Sequence, residues 1–300
     1  MSNAITPHIP HAALVSQADS DTQAISLWLG RLKLADTTRE AYRREIDRFT
    51  GYVGKPLRLV GLVDLQAYAA HVAAPLASRK TPSLSTQQRA LAAVKSLLAF
   101  CERIGYIQFN PGAAIELRRL KDTLSERILS EGDITRIIAL EDDPRNHLLL
   151  SCLYATGGRV SEVRALVWRD VQFADDGAAF VTLFGKRGQT RVVRLKPSMG
   201  KALRQARDDA PLSAPVFMSR QSKAIHRSQV WRIVKQAAKR AGIEADPSPH
   251  WFRHAHVSHA LDRGAPAHLV QQTVGHASLD TTTRYSHVRP GQSSGDYLAI

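Results

Sequence analysis

Along the first third of the chain the apolar residues recur at helical spacing. Ile25, Trp28, Leu29 and Leu32 form one stripe, and after a break near Asp36 a second helix starts at Thr37-Thr38 and carries Tyr42, Ile46 and Phe49 inward. Gly51 to Gly54 and Pro56 interrupt the pattern and Val63 to Val72 restores it. A long stripe from about Ser85 to Ile104 then buries Leu91, Val94, Leu98 and Cys101. These helices predict a small all-α domain of four helices over residues 19–109. Residues 1–18, with Pro7, Pro10 and no period, read as disordered or loosely packed.

The pattern changes beyond residue 109. Gly105, Asn110-Pro111 and the basic run Arg118-Arg119-Leu120-Lys121 predict a linker over residues 110–128, a second domain over 129–289 and a tail over 290–300. In that domain Ser130 opens a helix to Leu140, and Asn146 to Ala155 forms a strongly apolar one. Thr156-Gly157-Gly158 breaks the run, and a helix with Val160, Val163 and Leu166 inward is expected after Arg159. Alternation in Ala179 to Phe184 and Arg191 to Leu195 predicts a hairpin turning at Gly185-Lys186-Arg187-Gly188. Helices follow at Pro197 to Asp209 and Arg227 to Ala241. Ser248-Pro249 opens another, which Gly264 and Pro266 stop near Leu261 or Asp262. A short helix fits Ala267 to Val274, leaving His276 in a loop and Thr281 to Thr283 leading to Tyr285.

Composition narrows the partners. Of 300 residues 44% are hydrophobic, enough for a core in each of two modest domains, and no apolar run could span a bilayer. Nothing at the start resembles a secretory signal, so a cytoplasmic protein is expected. Cys101 and Cys152, both in apolar helical surroundings, read as buried thiols. The 41 Lys and Arg against 27 Asp and Glu give a formal +14. Both halves share it, with 15 basic and 9 acidic side chains in residues 1–120 and 26 and 18 in residues 121–300. Such a charge points to a polyanion, most commonly nucleic acid, although a ribosomal or membrane-surface protein would show it too.

Candidate chemistry clusters late in the chain. His250 and Arg253 are three apart and share a helix face. His250 and His254 have the i,i+4 spacing of a metal pair, but no intervening Glu completes the zinc-protease pattern, and no metal is expected. From spacing alone Tyr285 is either a packing residue or a nucleophile. Arg159, following two glycines at a helix start, suits a phosphate. Lys186 stands at a strand end from which a flexible chain reaches a ligand, or is simply solvated. In the first domain Gln87, Gln88, Arg89 and Lys95 are available to face out, and Gln and Arg suit adenine and guanine edges in a major groove. Arg187, in the hairpin turn, is a further candidate DNA contact. No Walker loop, dinucleotide-binding glycine pattern or Asp/Glu metal cluster occurs, so no cofactor is expected.

Taken together, Thr156-Gly157-Gly158-Arg159-Val160-Ser161-Glu162-Val163, Gly185-Lys186-Arg187-Gly188, His250-Trp251-Phe252-Arg253-His254, Gly275-His276-Ala277 and Thr283-Arg284-Tyr285 resemble, in order, the motifs of the tyrosine recombinases, also called the phage-integrase family. The resemblance covers about residues 20–290. It implies a mainly α fold, with an N-terminal four-helix, SAM-like core-binding domain and a C-terminal α-rich catalytic domain bearing a small β-hairpin or sheet. It implies Arg159, Lys186, His250, Arg253, His276 and Tyr285 as the six active-site residues. In size the chain resembles Xer-type and plasmid or transposon recombinases. By this resemblance it is a site-specific recombinase that joins Tyr285 to a DNA 3′ phosphate, with His250 as general base, Lys186 as general acid and no metal. Its partners are double-stranded DNA and, as a homotetramer on two synapsed sites, itself, in the cytoplasm at the nucleoid. Type IB topoisomerase-like relaxation and a non-catalytic DNA-binding regulator are the alternatives. Gly158 departs from the family, which often has a larger apolar residue there, and looser local packing is expected. Tyr297 is the runner-up nucleophile, and Tyr297-Leu298-Ala299-Ile300 is expected to anchor in a neighbouring protomer.

Overall fold

The apolar stripes of the first hundred residues fold as α1 (Asp21–Gly30), α2 (Asp36–Val53), α3 (Leu62–Ala73) and α4 (Leu84–Arg103). The computed structural model describes residues 18–30, 36–75, 81–118, 123–185 and 188–285. The chain divides into two units, residues 1–121 and 122–300.

In the first unit one core gathers Trp28 from α1, Ile46 and Phe49 from α2, Leu65 and Tyr68 from α3, and Leu97 and Leu98 from α4. Trp28 stacks on Tyr42 at 5.4 Å and Phe49 meets Tyr68 edge-on at 5.0 Å, both favoured aromatic geometries. The Asp21 carboxylate accepts hydrogen bonds from the Leu57 N–H (3.0 Å) and the Tyr106 hydroxyl (2.6 Å), tying α1 to segments far along the chain. Gly51 does not end α2, as its sequence context suggests. The helix runs on to Val53 and stops at Gly54, whose φ is +60°. A glycine inside a helix costs only about 1 kcal/mol, which the packing of Phe49 and Ile46 on that helix outweighs.

The second unit comprises α5 (Glu131–Ala139), α6 (Pro144–Thr156), α7 (Val160–Val163), strands β1 (Val171–Phe173), β2 (Ala179–Phe184) and β3 (Thr190–Leu195), then α8 (Pro197–Arg207), α9 (Arg227–Arg240), α10 (Pro249–Asp262), α11 (Ala267–Val274) and α12 (Leu279–Thr283). The sheet is antiparallel in the order β1-β2-β3, with Val181 opposite Val171 and Val193. Ala179, Val181 and Leu183 point inward, the alternation that the sequence displays. Helix α6 begins earlier than its apolar run because Asp143 caps it, accepting from the Asn146 N–H at 2.9 Å, with Pro144 in the first turn. The helix expected from Val160 to Leu166 is a single turn. Beyond it a short turn at Trp168–Asp170 forms, and the Asp170 carboxylate accepts from the Val167 N–H at 3.1 Å. Strand β1 and helix α12 are too short for a period to reveal. Among the described residues no helix is long and apolar enough to cross a membrane.

Candidate active site

Two glycines in left-handed backbone set the frame. Gly157 (φ 56°) ends α6 and Gly275 (φ 68°) ends α11, a conformation that side chains with a Cβ adopt only with strain. A Cβ on Gly157 would also lie 2.7 Å from the His256 ring. Beyond Gly157 the chain is extended at Arg159, which precedes α7, and beyond Gly275 it delivers His276. The expected looseness at Gly158 is absent. A Cβ there would lie 2.7 Å from Val163 and 3.2 Å from Leu183, so these neighbours fill the space a larger residue would take.

Arg253, only 2% exposed, joins both glycine turns. Its Nη1 donates to the carbonyls of Gly157 (2.8 Å) and Val274 (2.7 Å), the negative ends of α6 and α11. Burial, then Arg159 and Arg191, lower its pKa to about 10, which still leaves it cationic at neutral pH. Arg159 donates through Nη1 to Glu162 Oε1 (2.9 Å) and through Nη2 to the Gly275 carbonyl (3.2 Å). The buried Glu162 also accepts from the Arg159 N–H (2.8 Å) and Arg191 Nη2 (2.7 Å), while Arg191 Nε donates to the Thr273 carbonyl (2.7 Å). Burial pushes the Glu162 carboxyl up, but the bonds from Arg191 and Arg159 outweigh it and hold the group below the ordinary carboxylate range.

Three imidazoles and a phenol complete the cluster. His276 Nδ1 pairs with the buried Thr282 hydroxyl at 2.9 Å, and its ring lies parallel to that of Tyr285 at 6.4 Å. Burial, then Arg253 and Arg159, lower its pKa to about 4, so the ring is neutral. The same causes lower the pKa of His250. Tyr285 is 5% exposed, and its hydroxyl meets His254 Nδ1 at 2.5 Å. The phenol's partner is therefore His254 and not His250, the expected base. His250 is one helical turn away, its ring edge-on to that of His254 at 4.5 Å. A cavity of about 330 Å³ is lined by Arg159, His250, Arg253, His254, His276 and Tyr285 among others. Glu162, Arg191 and His254 went unassigned in the sequence reading, although His254 carries a visible signal, its i,i+4 spacing from His250.

The other candidate positions divide. Lys186, Arg187, residues 1–17 and the tail with Tyr297 lie outside the described residues. Gly185, next to Lys186, lines a second cavity with Arg159 and His276. On α4, Gln88 donates to the Arg118 carbonyl and Lys95 to the Ile115 carbonyl. Gln87 donates to the Pro82 carbonyl at 2.8 Å. These three amide and ammonium groups are engaged by the chain itself. Arg89 remains 61% exposed, with Glu45 at 3.9 Å. Among the described residues no group of three or more His, Cys, Asp or Glu is arranged to hold a metal ion.

Residues 127–292 match the Phage integrase family. The tyrosine recombinase XerD of Pseudomonas aeruginosa is 34% identical over 276 residues, covering 88% of this chain and 90% of the relative. Among solved structures, XerH site-specific recombinase bound to difH substrate in a pre-cleavage complex superposes with a TM-score of 0.69 at 21% identity, covering 95% of this chain and 85% of that one. A lambda integrase tetramer bound to a Holliday junction gives 0.68 at 15% identity over 87% and 78%. With a family match spanning more than half its length and a relative of this identity along most of it, the chain belongs to the phage integrase family, as a Xer-like, tyrosine-type site-specific recombinase.

Proposed function

We propose that the chain cuts and rejoins duplex DNA in the cytoplasm through a 3′-phosphotyrosyl link to Tyr285, with neither metal nor nucleotide. The observation that carries this reading is the convergence of one buried phenol, two arginines and neutral imidazoles on a single cavity. Arg159 and Arg253 grip the phosphate oxygens with the N–H groups left over from their carbonyl and carboxylate bonds. In the tautomer in which the Thr282 hydroxyl donates to His276 Nδ1, the ring proton sits on Nε2, which with His250 donates to the oxygens of the phosphorane. Lys186 protonates the departing 5′ oxygen, a role supported by the cavity that Gly185 shares with Arg159 and His276. The bond energy is conserved in the tyrosyl ester, so attack by a different 5′ hydroxyl rejoins the strand. Exchange between two synapsed sites calls for four copies, an arrangement supported by the lambda integrase tetramer of similar fold.

On nicked suicide duplexes Tyr285→Phe retains near-normal DNA affinity and forms no covalent adduct, because only the phenolic oxygen is lost. Adducts persisting in that variant, formed for instance through Tyr297, would overturn the assignment. Cleavage continues in excess EDTA, and its loss under chelation would overturn the metal-free reading.

A further inference from the structure

Of the cavity's side chains to which family resemblance gives no role, His254 is the one hydrogen-bonded to the phenol. His254 lies one turn beyond His250 on α10 and is the group in contact with the Tyr285 hydroxyl, Nδ1 to oxygen 2.5 Å. The phenol is 5% exposed, so bulk water scarcely competes for that proton. His254 is faced by His250 and Arg253 of its own helix, Arg127 from the turn before α5, His276 from the loop after α11 and Tyr285 from the end of α12. No carboxylate stands among these. Burial first, and then these neighbours, hold the imidazole at a pKa of about 3, so it is neutral. In the tautomer with the ring proton on Nε2, the Nδ1 lone pair accepts from the phenol.

We propose that His254 is a catalytic residue that takes the phenolic proton as Tyr285 attacks phosphorus. This rests on Tyr285 being the nucleophile. In the step the electron pair of the O–H bond becomes the bond from Tyr285 Oη to phosphorus, and the proton passes to Nδ1. The bond from phosphorus to the 5′ oxygen breaks, and that oxygen leaves with a proton from Lys186. His254 gains one proton and Lys186 loses one, and rejoining reverses both transfers.

With a pKa of about 3 so weak a base takes almost no proton before DNA binds, and the nucleophile stays protonated. A bound phosphodiester brings one negative charge beside Arg253, offsets the part that this cation adds to burial in holding the ring neutral, and raises the proton affinity of His254 at the moment of attack. His250, edge-on to His254 at 4.5 Å, then acts on the phosphate and not on the phenol.

The test is single-turnover cleavage of a nicked duplex across pH, with folding checked by thermal melting. His254→Gln keeps a carbonyl acceptor for the phenol but takes no proton. It should cleave about 10²–10⁴-fold more slowly, the usual range for general acid–base catalysis, and should lose the fall in rate on the acid side that is expected of the unaltered enzyme. His250→Gln should keep that acid-side fall. If His254→Gln fails to melt cooperatively, His254→Asn, whose Oδ1 takes the place of Nδ1, is measured in the same way. A His254→Gln enzyme that cleaves at the normal rate, or slowly with an unchanged acid limb, would overturn the proposal. Adducts in Tyr285→Phe would instead overturn the nucleophile itself, so the two failures are told apart.

Discussion

Helix α4 of the first unit and the surroundings of α10 in the second are both supplied with cationic and amide side chains, and both turn them onto backbone carbonyls. On α4 the result is closure, since Gln88 and Lys95 bind the carbonyls of Arg118 and Ile115 and hold residues 115–118 along the helix. At α10 Arg253 uses one nitrogen for two helix-end carbonyls and keeps its other N–H groups. The physics is the same, because a carbonyl left without a partner out of water is costly and a charged donor satisfies it best. The guanidinium, with five donors in a rigid fork on three nitrogens, can serve structure and ligand from different atoms, whereas an amide or ammonium offers all its donors from the one nitrogen that the carbonyl already holds.

The sharpest way to break this comparison is to remove Arg253. Arg253→Ala should lower cleavage by about 10²–10³-fold or more, as loss of a transition-state donor does. It should also destabilise the second unit by about 3–6 kcal/mol, since two charge-assisted bonds of roughly 1.5–3 kcal/mol each are lost. Urea unfolding followed at α6 or α10 checks the second part. Undiminished stability would mean that the clamp on Gly157 and Val274 holds nothing.

Glu162→Gln should destabilise by about 3 kcal/mol, the cost of breaking a buried ion pair, and the effect should depend on pH in a defined way. The Glu162 carboxyl lies below its ordinary 4.5 in the fold, so its contribution is complete above that value and is lost as pH falls through the lower, folded value. His254 and His276, lowered from 6.5 to about 3 and about 4, must charge on unfolding, so stability also declines as pH falls from 6.5 toward those values. Acid unfolding of the intact chain should thus show a decline that sets in below 6.5 and a steepening below 4.5, and Glu162→Gln should reduce only the steepening. A variant that loses both, or neither, would break the assignment.

Smaller effects separate the residues of α4. Gln88→Ala and Lys95→Ala should each cost about 1 kcal/mol of stability, one net hydrogen bond, with DNA sequence preference unchanged. Arg89→Ala should leave stability alone and reduce the salt dependence of DNA binding by about 0.9 log units per log unit of salt if it contacts one phosphate. A change of sequence preference on losing Gln88 would instead return that residue to base reading.

The sequence by itself determined the longer helices, the hairpin and the glycine turns, though not β1, α12 or the single-turn length of α7, because periodicity, capping and turn chemistry act over a few residues. Ser248-Pro249 marks the start of α10, Gly157 and Gly275 mark the ends of α6 and α11, and alternation marks β2 and β3. The family motifs likewise pointed to Arg159, Arg253, His276 and Tyr285, which share one cavity. Tertiary structure alone decided which of two histidines four residues apart meets the phenol, that Glu162, already paired with Arg159 three residues before it, also holds Arg191, and that Gln88 and Lys95 turn onto the carbonyls of Arg118 and Ile115. Each depends on segments remote in sequence coming together: Glu162 and Arg191 are 29 apart, His254 and Tyr285 31, and Arg253 and Gly157 96. No local pattern encodes such pairings, because they follow from how α6, α10, α11 and the hairpin pack around a common core.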